Sequence, residues 1–319
     1  QLPPPSTNSF MVSVAFGPND GLIYVWDGTQ ILKQTSLNAT TYATIGSVGD
    51  NNADAAPIAF SKNADEMIVG NGGGGTGVNA AAHAGKIFAI PAGGGSSSTA
   101  IGPGVPFSAS FLAAPFASSN TKLFIDQGNS TFTASSVSVF DYLSGANNLV
   151  INNIPGASTD MAFHAGRLYA GVGFGPEAGE IRSFSLSALQ TALDTLTPLD
   201  WTAGQLFNSA NNNSGAGMFF DAHGDLFAGG GEGLTVFDPQ GNPTFYDNNG
   251  YTYLNYDPFF DRVLVTGFGT QQGIYPTAAL AVPEPAAWML AVCGSLGCAA
   301  AMRRRRCKRA DSRRRVGES

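Results

Sequence analysis

The stretch Met161-Ala162-Phe163-His164-Ala165-Gly166-Arg167-Leu168-Tyr169-Ala170 holds two apolar triplets separated by a polar turn. The first triplet ends in Phe, and the turn carries Gly where a hairpin needs unusual backbone angles. The unit recurs as Val14-Ala15-Phe16 with Leu22 to Val25, Ile58-Ala59-Phe60 with Met67 to Val69, and Ala114-Pro115-Phe116 with Leu123 to Ile125. Further copies are Met218-Phe219-Phe220 with Leu226 to Ala228 and, more weakly, Pro258-Phe259-Phe260 with Val263 to Val265. The six phenylalanines are 44, 56, 47, 57 and 40 residues apart, and a third apolar run usually follows, as in Lys86 to Ile90, Val137 to Phe140, Glu180 to Phe184 and Leu234 to Phe237.

A unit of about 47 residues suits a four-stranded propeller blade. The expected fold is therefore all-β, a β-propeller of about six blades over residues 1–282, with seven blades or an irregular β-sandwich as alternatives. Composition agrees: Gly is 41 of 319 residues and charged residues are 12%, which favours many tight turns over long helices. The exception is Ser185 to Leu196, where Leu186, Leu189, Leu193 and Leu196 are spaced three and four apart. That spacing predicts one short surface helix or turn.

The net charge of −7 is unevenly divided. Residues 1–282 carry 20 acidic and 7 basic side chains, whereas residues 283–319 carry 3 and 9. An acidic body offers no basic face for phosphate backbones, so nucleic acid is excluded as a partner. Cys293, Cys298 and Cys307 all lie in the tail, leaving a body without disulfides, which suits export. The start, Gln1-Leu2-Pro3-Pro4-Pro5, reads as a mature end left after removal of a secretory signal peptide.

The tail has three parts in order: Pro283-Glu284-Pro285, seventeen uncharged and mainly apolar residues from Ala286 to Met302, then Arg303-Arg304-Arg305-Arg306-Cys307-Lys308-Arg309. As a helix the middle part would span about 25 Å, at the short end of what crosses a hydrocarbon core. Trp288 suits a headgroup layer, and the basic cluster is expected to stay cytoplasmic, with everything before Pro283 outside. Pro285 restricts Glu284 to extended geometry, so Val282 to Pro285 should form an exposed strip open to a processing protease.

Val282-Pro283-Glu284-Pro285, the short apolar helix and the arginine cluster together resemble the PEP-CTERM signal of bacterial exported proteins. The resemblance covers residues 282 to about 309. It implies that exosortase, a membrane cysteine protease-transpeptidase, recognises and processes the chain, and that the membrane holds it through the C-terminal helix before processing. The continuation to Ser319, with Arg313 to Arg315, departs from that pattern. An ordinary membrane anchor with an accidental Pro-Glu-Pro is the alternative. The expected division is thus an exported body over 1–282, a sorting signal over 283–309 and a cytoplasmic tail over 310–319.

Candidate chemistry is sparse. His83, His164 and His223 each stand near a Gly ahead of an apolar strand, which reads as a repeated turn. Asp50, Asn52 and Asp54 have the opening spacing of a calcium loop, but Ala55 replaces the turn Gly and Ser61 the closing Glu. A solvated loop is the favoured reading, with Ca²⁺ as the one candidate cofactor. The run Gly72 to Gly75 lacks the Lys-Ser or Lys-Thr of a phosphate loop, and no Gly-x-Ser-x-Gly elbow occurs. Asp160, before Met161, and Asp257, before Pro258, read as beginning inner strands, where a propeller channel could gather them around Ca²⁺, in a manner similar to lactonase-like propellers. The leading expectation is an exported, non-enzymatic surface or extracellular-matrix protein that binds polysaccharide or protein. The alternative is an exported Ca²⁺-dependent hydrolase or lyase with its site in the channel.

Overall fold

The structure is a computed structural model. It describes residues 13–26, 30–47, 58–70, 86–96, 110–116, 120–129, 133–156, 160–173, 175, 177–209, 217–230, 233–246, 252–267 and 272–277. The chain divides into two units, Gln1–Leu280 and Ala281–Ser319, and all described residues belong to the first. Among them are 24 strands and one α-helix, so the class is all-β.

The first sheet is laid down by β1 (Ser13–Phe16), β2 (Ile23–Trp26), β3 (Gln30–Gln34) and β4 (Tyr42–Ser47), and the second by β5 (Ile58–Phe60), β6 (Glu66–Gly70) and β7 (Ile87–Pro91). The chain then returns through β8 (Gly95–Ser96), which pairs in parallel with β4. The third sheet holds β9 (Phe111–Ala113), β10 (Lys122–Gly128), β11 (Ser135–Asp141) and β12 (Asn147–Ile154). The fourth starts with β13 (Asp160–His164), β14 (Arg167–Gly171) and β15 (Ile181–Ser185). Helix α1 (Leu186–Thr195) follows, then β16 (Leu199–Asp200), which pairs in parallel with β12, and β17 (Gln205–Asn208), which completes the fourth sheet. The fifth is β18 (Gly217–Phe220), β19 (Leu226–Gly230), β20 (Gly233–Phe237) and β21 (Pro243–Tyr246). The sixth is β22 (Thr252–Asp257), β23 (Arg262–Gly267) and β24 (Gln272–Pro276).

Each sheet runs outward as an antiparallel meander from its first strand. The first strands β1, β5, β9, β13, β18 and β22 touch one another in turn, and β22 meets β1 again. That closed ring of radial sheets is a β-propeller. The local cause is legible in β13–β14: Met161 faces Ala170 and Phe163 faces Leu168, while Ala165 and Gly166 take φ of 47° and 76°, as a tight two-residue hairpin demands.

Two expectations need correction. Among the described residues the blades are not uniformly four-stranded: the six sheets hold five, three, five, four, four and three strands, and the two of five include β8 and β16, each lent backward to the preceding sheet's outer edge. Two of the six repeat copies also differ in register from the strands that form. The inner strands there are Phe111–Ala113 and Thr252–Asp257, not 114–116 and 258–260. Both mistaken triplets contain a proline, Pro115 or Pro258, which has no N–H to give to a ladder. The expected C-terminal helix lies outside the described residues. Among those described, no helix is long and apolar enough to cross a membrane.

The core sits between sheets. Tyr24, Trp26 and Ile31 of the first pack on Met67, Val69 and Phe88 of the second. Ile68 and Ile87 of the second meet Leu123 and Phe140 of the third. Helix α1 forms where the leucine spacing places it. It buries Leu189, Ala192 and Leu193 and ends on Leu196 at φ 54°.

Candidate functional site

The inner rim of the ring is where polar groups from several sheets converge. Asp160 opens β13. Its Oδ1 accepts the hydroxyl of Ser110 and the Met161 N–H at 2.7 Å, and its Oδ2 accepts the Met218 N–H at 2.8 Å. Ser110 immediately precedes β9 and Met218 lies in β18, so one carboxylate ties the inner edges of the third, fourth and fifth sheets. Asp160 as a residue keeps some surface at the rim, while its carboxyl is enclosed. Burial pushes that carboxyl above its ordinary value, against the pull of the Ser110, Met161 and Met218 donors. Beside it, Asp126 on β10 is fully buried, and its N–H donates to the Ser110 carbonyl at 3.2 Å.

Asp257 is at the other end of the ring. It closes β22, pairs with Arg262 across the hairpin at 2.6 Å and accepts the Phe259 N–H at 3.0 Å. Asp160 starts its inner strand and Asp257 ends its own. Adjacent inner strands run the same way, as the contacts between the start of β18 and Asp160 and between Phe219 and Tyr256 require. The structure therefore does not gather Asp160 and Asp257, and the expected channel cluster around Ca²⁺ is corrected. Among the described residues no three His, Cys, Asp or Glu side chains form a metal site. The carboxyls of Asp160 and Asp257 each accept hydrogen bonds from their own surroundings, Asp160 from Ser110, Met161 and Met218 and Asp257 from Phe259 and Arg262.

The hairpin ends of the sheets form a turn face built on aspartates that bond their own loops. Asp20 accepts the Leu22 N–H and the Tyr24 hydroxyl, both at 3.0 Å, and pairs with Lys33 at 2.9 Å. Burial alone would raise its pKa, but Lys33, the Leu22 N–H and Tyr24 more than offset this and hold it below the ordinary value. Asp221 accepts the His223 and Asp225 N–H groups, both at 2.9 Å, and Asp238 those of Gln240 and Asn242. These are Asx turns, in which the carboxylate does a structural job. On the same face Phe259 and Phe260 are 55% and 42% exposed, with ring centroids 4.7 Å apart.

Of the histidines, His223 lies in the β18–β19 turn, with Nδ1 3.4 Å from Asp221 Oδ2. His164 ends β13 and stacks on Phe220 at 4.5 Å. Both positions agree with the turn reading. His83, the loop of Asp50, Asn52 and Asp54, the motif Pro283, Glu284, Pro285 and the basic cluster Arg303 to Arg309 lie outside the described residues. A depression of about 240 Å³ lies at the outer part of the fourth sheet, beside Arg167, Ser185, Ala188 and Gln205. It is away from the inner strands and involves none of the rim carboxyls.

Sequence reasoning missed Ser110 and Asp126. Ser110 was hidden by the register error that placed the strand at 114–116. Asp126 did carry a signal, as a single acid directly after the apolar run Leu123-Phe124-Ile125.

No protein-family profile and no curated protein matches the chain. Solved structures do resemble it. A luciferin-regenerating enzyme superposes with a TM-score of 0.55 at 12% identity, over 83% of this chain and 86% of its own. A provisionally named gluconolactonase gives 0.53 at 13% identity, over 84% and 91%. The nidogen/laminin complex gives 0.53 at 10% identity, over 75% and 80%. At such identities what these neighbours share with this chain is the fold, a β-propeller.

Proposed function

We propose that this chain is an exported, non-enzymatic binding propeller that presents its turn face to a polysaccharide or a surface protein at the cell envelope. One observation carries binding over catalysis: the inner-strand carboxyls serve the fold, Asp160 through donors from three sheets and Asp257 through Arg262 and the Phe259 N–H. The turn face still presents polar Asx loops and the exposed rings of Phe259 and Phe260. Retention of purified protein on immobilised envelope polysaccharide, with and without chelator, tests this. Binding that survives chelator and weakens in Phe259→Ala supports it, and failure to bind either polysaccharide or envelope protein overturns it.

Delivery to the envelope rests on the sequence of residues 282–309, through an exosortase-type protease acting at Pro283-Glu284-Pro285. A mass measurement on protein recovered from its native envelope tests this step, because processing there removes the whole basic end. An intact C-terminus in that material would refute it.

The second reading is a Ca²⁺-dependent hydrolase, and the fold's neighbours include a provisionally named gluconolactonase. Its support is that Ser110, at one end of the ring, gives its hydroxyl to the Asp160 carboxyl and accepts the backbone N–H of the buried Asp126. Ca²⁺ that binds the folded state raises the melting temperature by linkage. A Ca²⁺-dependent rise together with turnover of a sugar lactone would favour this reading, and a melting curve unmoved by Ca²⁺ or chelator would favour binding.

A further inference from the structure

The junctions around the ring are not equivalent. Between the first and second sheets, Trp26 sits in an apolar cluster and donates its indole N–H to the Gly70 carbonyl at 2.9 Å. Between the third and fourth, helix α1 packs into the largest apolar cluster and β16 is lent backward as an extra strand. Between the fifth and sixth, Phe219 stacks on Tyr256 at 4.7 Å and 4°. Where the sixth sheet meets the first, Leu264 is, among the described side chains, the one that the sixth sheet adds to a buried cluster otherwise drawn from the first. Among the described strands, none is shared between these two sheets.

That junction is instead crossed by Arg262. Its Nη2 donates to the Gly21 carbonyl at 2.8 Å, across 241 residues of chain. Its Nε is paired with Asp257, whose side chain is fully buried, at 2.6 Å. The guanidinium lies 5.5 Å from the Phe16 ring centre and 4.9 Å from that of Phe260. A planar fork makes these contacts at once, which an ammonium could not. The approach is close: a Cβ at Gly21, held at φ +62°, would come within 2.6 Å of the Phe260 ring.

We infer that Arg262 is a latch at the seam between the last and first sheets, and that the ring opens there by local separation of β22 from β1 while the other junctions hold. The basis is energetic. An apolar cluster loses contact gradually, whereas the hydrogen bonds of a partly buried guanidinium are lost together when the surfaces part, and water then solvates both charges. Closing the ring also brings together segments more than two hundred residues apart, so the entropy regained on opening favours this junction over those between sheets adjacent in sequence.

Native-state hydrogen exchange on the full-length chain tests this. In the wild type, amides of β1, β2, β22 and β23 should exchange through an opening that leaves β13, β14, β18 and β19 protected. Arg262→Gln should speed the seam amides by at least about tenfold, the loss expected for charge-assisted hydrogen bonds, with the β13–β14 amides little changed. Arg262→Lys should fall between the two. Arg182→Gln, which breaks a comparable pair with Glu180 inside the fourth sheet, should not release the seam. Exchange of seam and β13–β14 amides through one common opening in the wild type would overturn the proposal, as would equal acceleration of all six sheets by Arg262→Gln. Should Arg262→Gln fail to fold, the wild-type gradient of protection decides the question by itself.

Discussion

The Met218 N–H donates to the Asp160 carboxyl at 2.8 Å across 58 residues of chain, joining the inner strand of one sheet to the inner strand of the next. Because the same carboxyl also holds Ser110 and the Met161 N–H, Asp160→Ala should orphan donors in three sheets at once. A loss of about 2 kcal/mol or more in denaturant melts is expected, since each buried donor left without a partner costs about 1–3 kcal/mol.

The same residue gives the protein a pH signature. Burial raises the folded-state pKa of Asp160 above its unfolded value. The folded state therefore binds more protons across that window, and stability from this group is fully present below the ordinary carboxylate value of about 3.9 and is lost as pH rises through the raised value. Asp20 has the opposite sign. With its pKa held down by Lys33 and two hydrogen bonds, its contribution is present above the unfolded value and lost as pH falls through the lowered one. Melting curves of wild type, Asp160→Ala and Asp20→Asn across the acid range should separate the two. The gap between wild type and Asp160→Ala should narrow, without closing, as pH rises through the raised value of Asp160, and the gap between wild type and Asp20→Asn should narrow as pH falls through the lowered value of Asp20.

The backward loan of β8 depends on a glycine. Gly46 pairs with Gly95 in parallel register, and a Cβ at Gly46 would lie 2.5 Å from the Gly95 carbonyl oxygen. Gly46 is held in the β3–β4 ladder, so Gly46→Ala should displace β8 from the edge of the first sheet. The expected cost is about 1–3 kcal/mol, with new protease sensitivity between β7 and β9. Cleavage kinetics equal to wild type would show that the pairing contributes little.

The repeat of Phe-ending triplets was readable because short-range hairpin chemistry is written locally. Residues 161–170 and 218–228 carry both the apolar pattern and the turn residues, and the strands fall where the pattern puts them. The loan of β8 and β16 was not readable, since a two-residue strand has no periodicity and its partner is set by packing elsewhere. The rim tie of Asp160 was half legible. Its place at the head of an inner strand could be read, but its partners Ser110 and Met218 lie 50 and 58 residues away, and only closure of the ring brings them together. Spacing alone could not show whether Asp160 and Asp257 converge, and the out-of-register copy at 258–260 hid that one begins its strand and the other ends its own.

Helix α1 offers a test of how the outer layer is held. Ser185 caps it, accepting the Ala188 N–H on its hydroxyl at 3.2 Å, and Leu189 inserts fully buried into the cluster that also holds Val150 and Trp201. The two contributions differ in kind, one local and one tertiary. Ser185→Ala should cost about 1 kcal/mol, the usual worth of a cap. Leu189→Ala should cost about 2–5 kcal/mol, because it leaves a cavity between the third and fourth sheets. Helices of this length are marginal alone and draw their stability from the buried face. Leu189→Ala should therefore loosen β16 as well, seen as faster amide exchange at Leu199 and Asp200, whereas Ser185→Ala should leave those amides protected. If the cap variant proved the more damaging, helix propensity rather than packing would be what holds this layer.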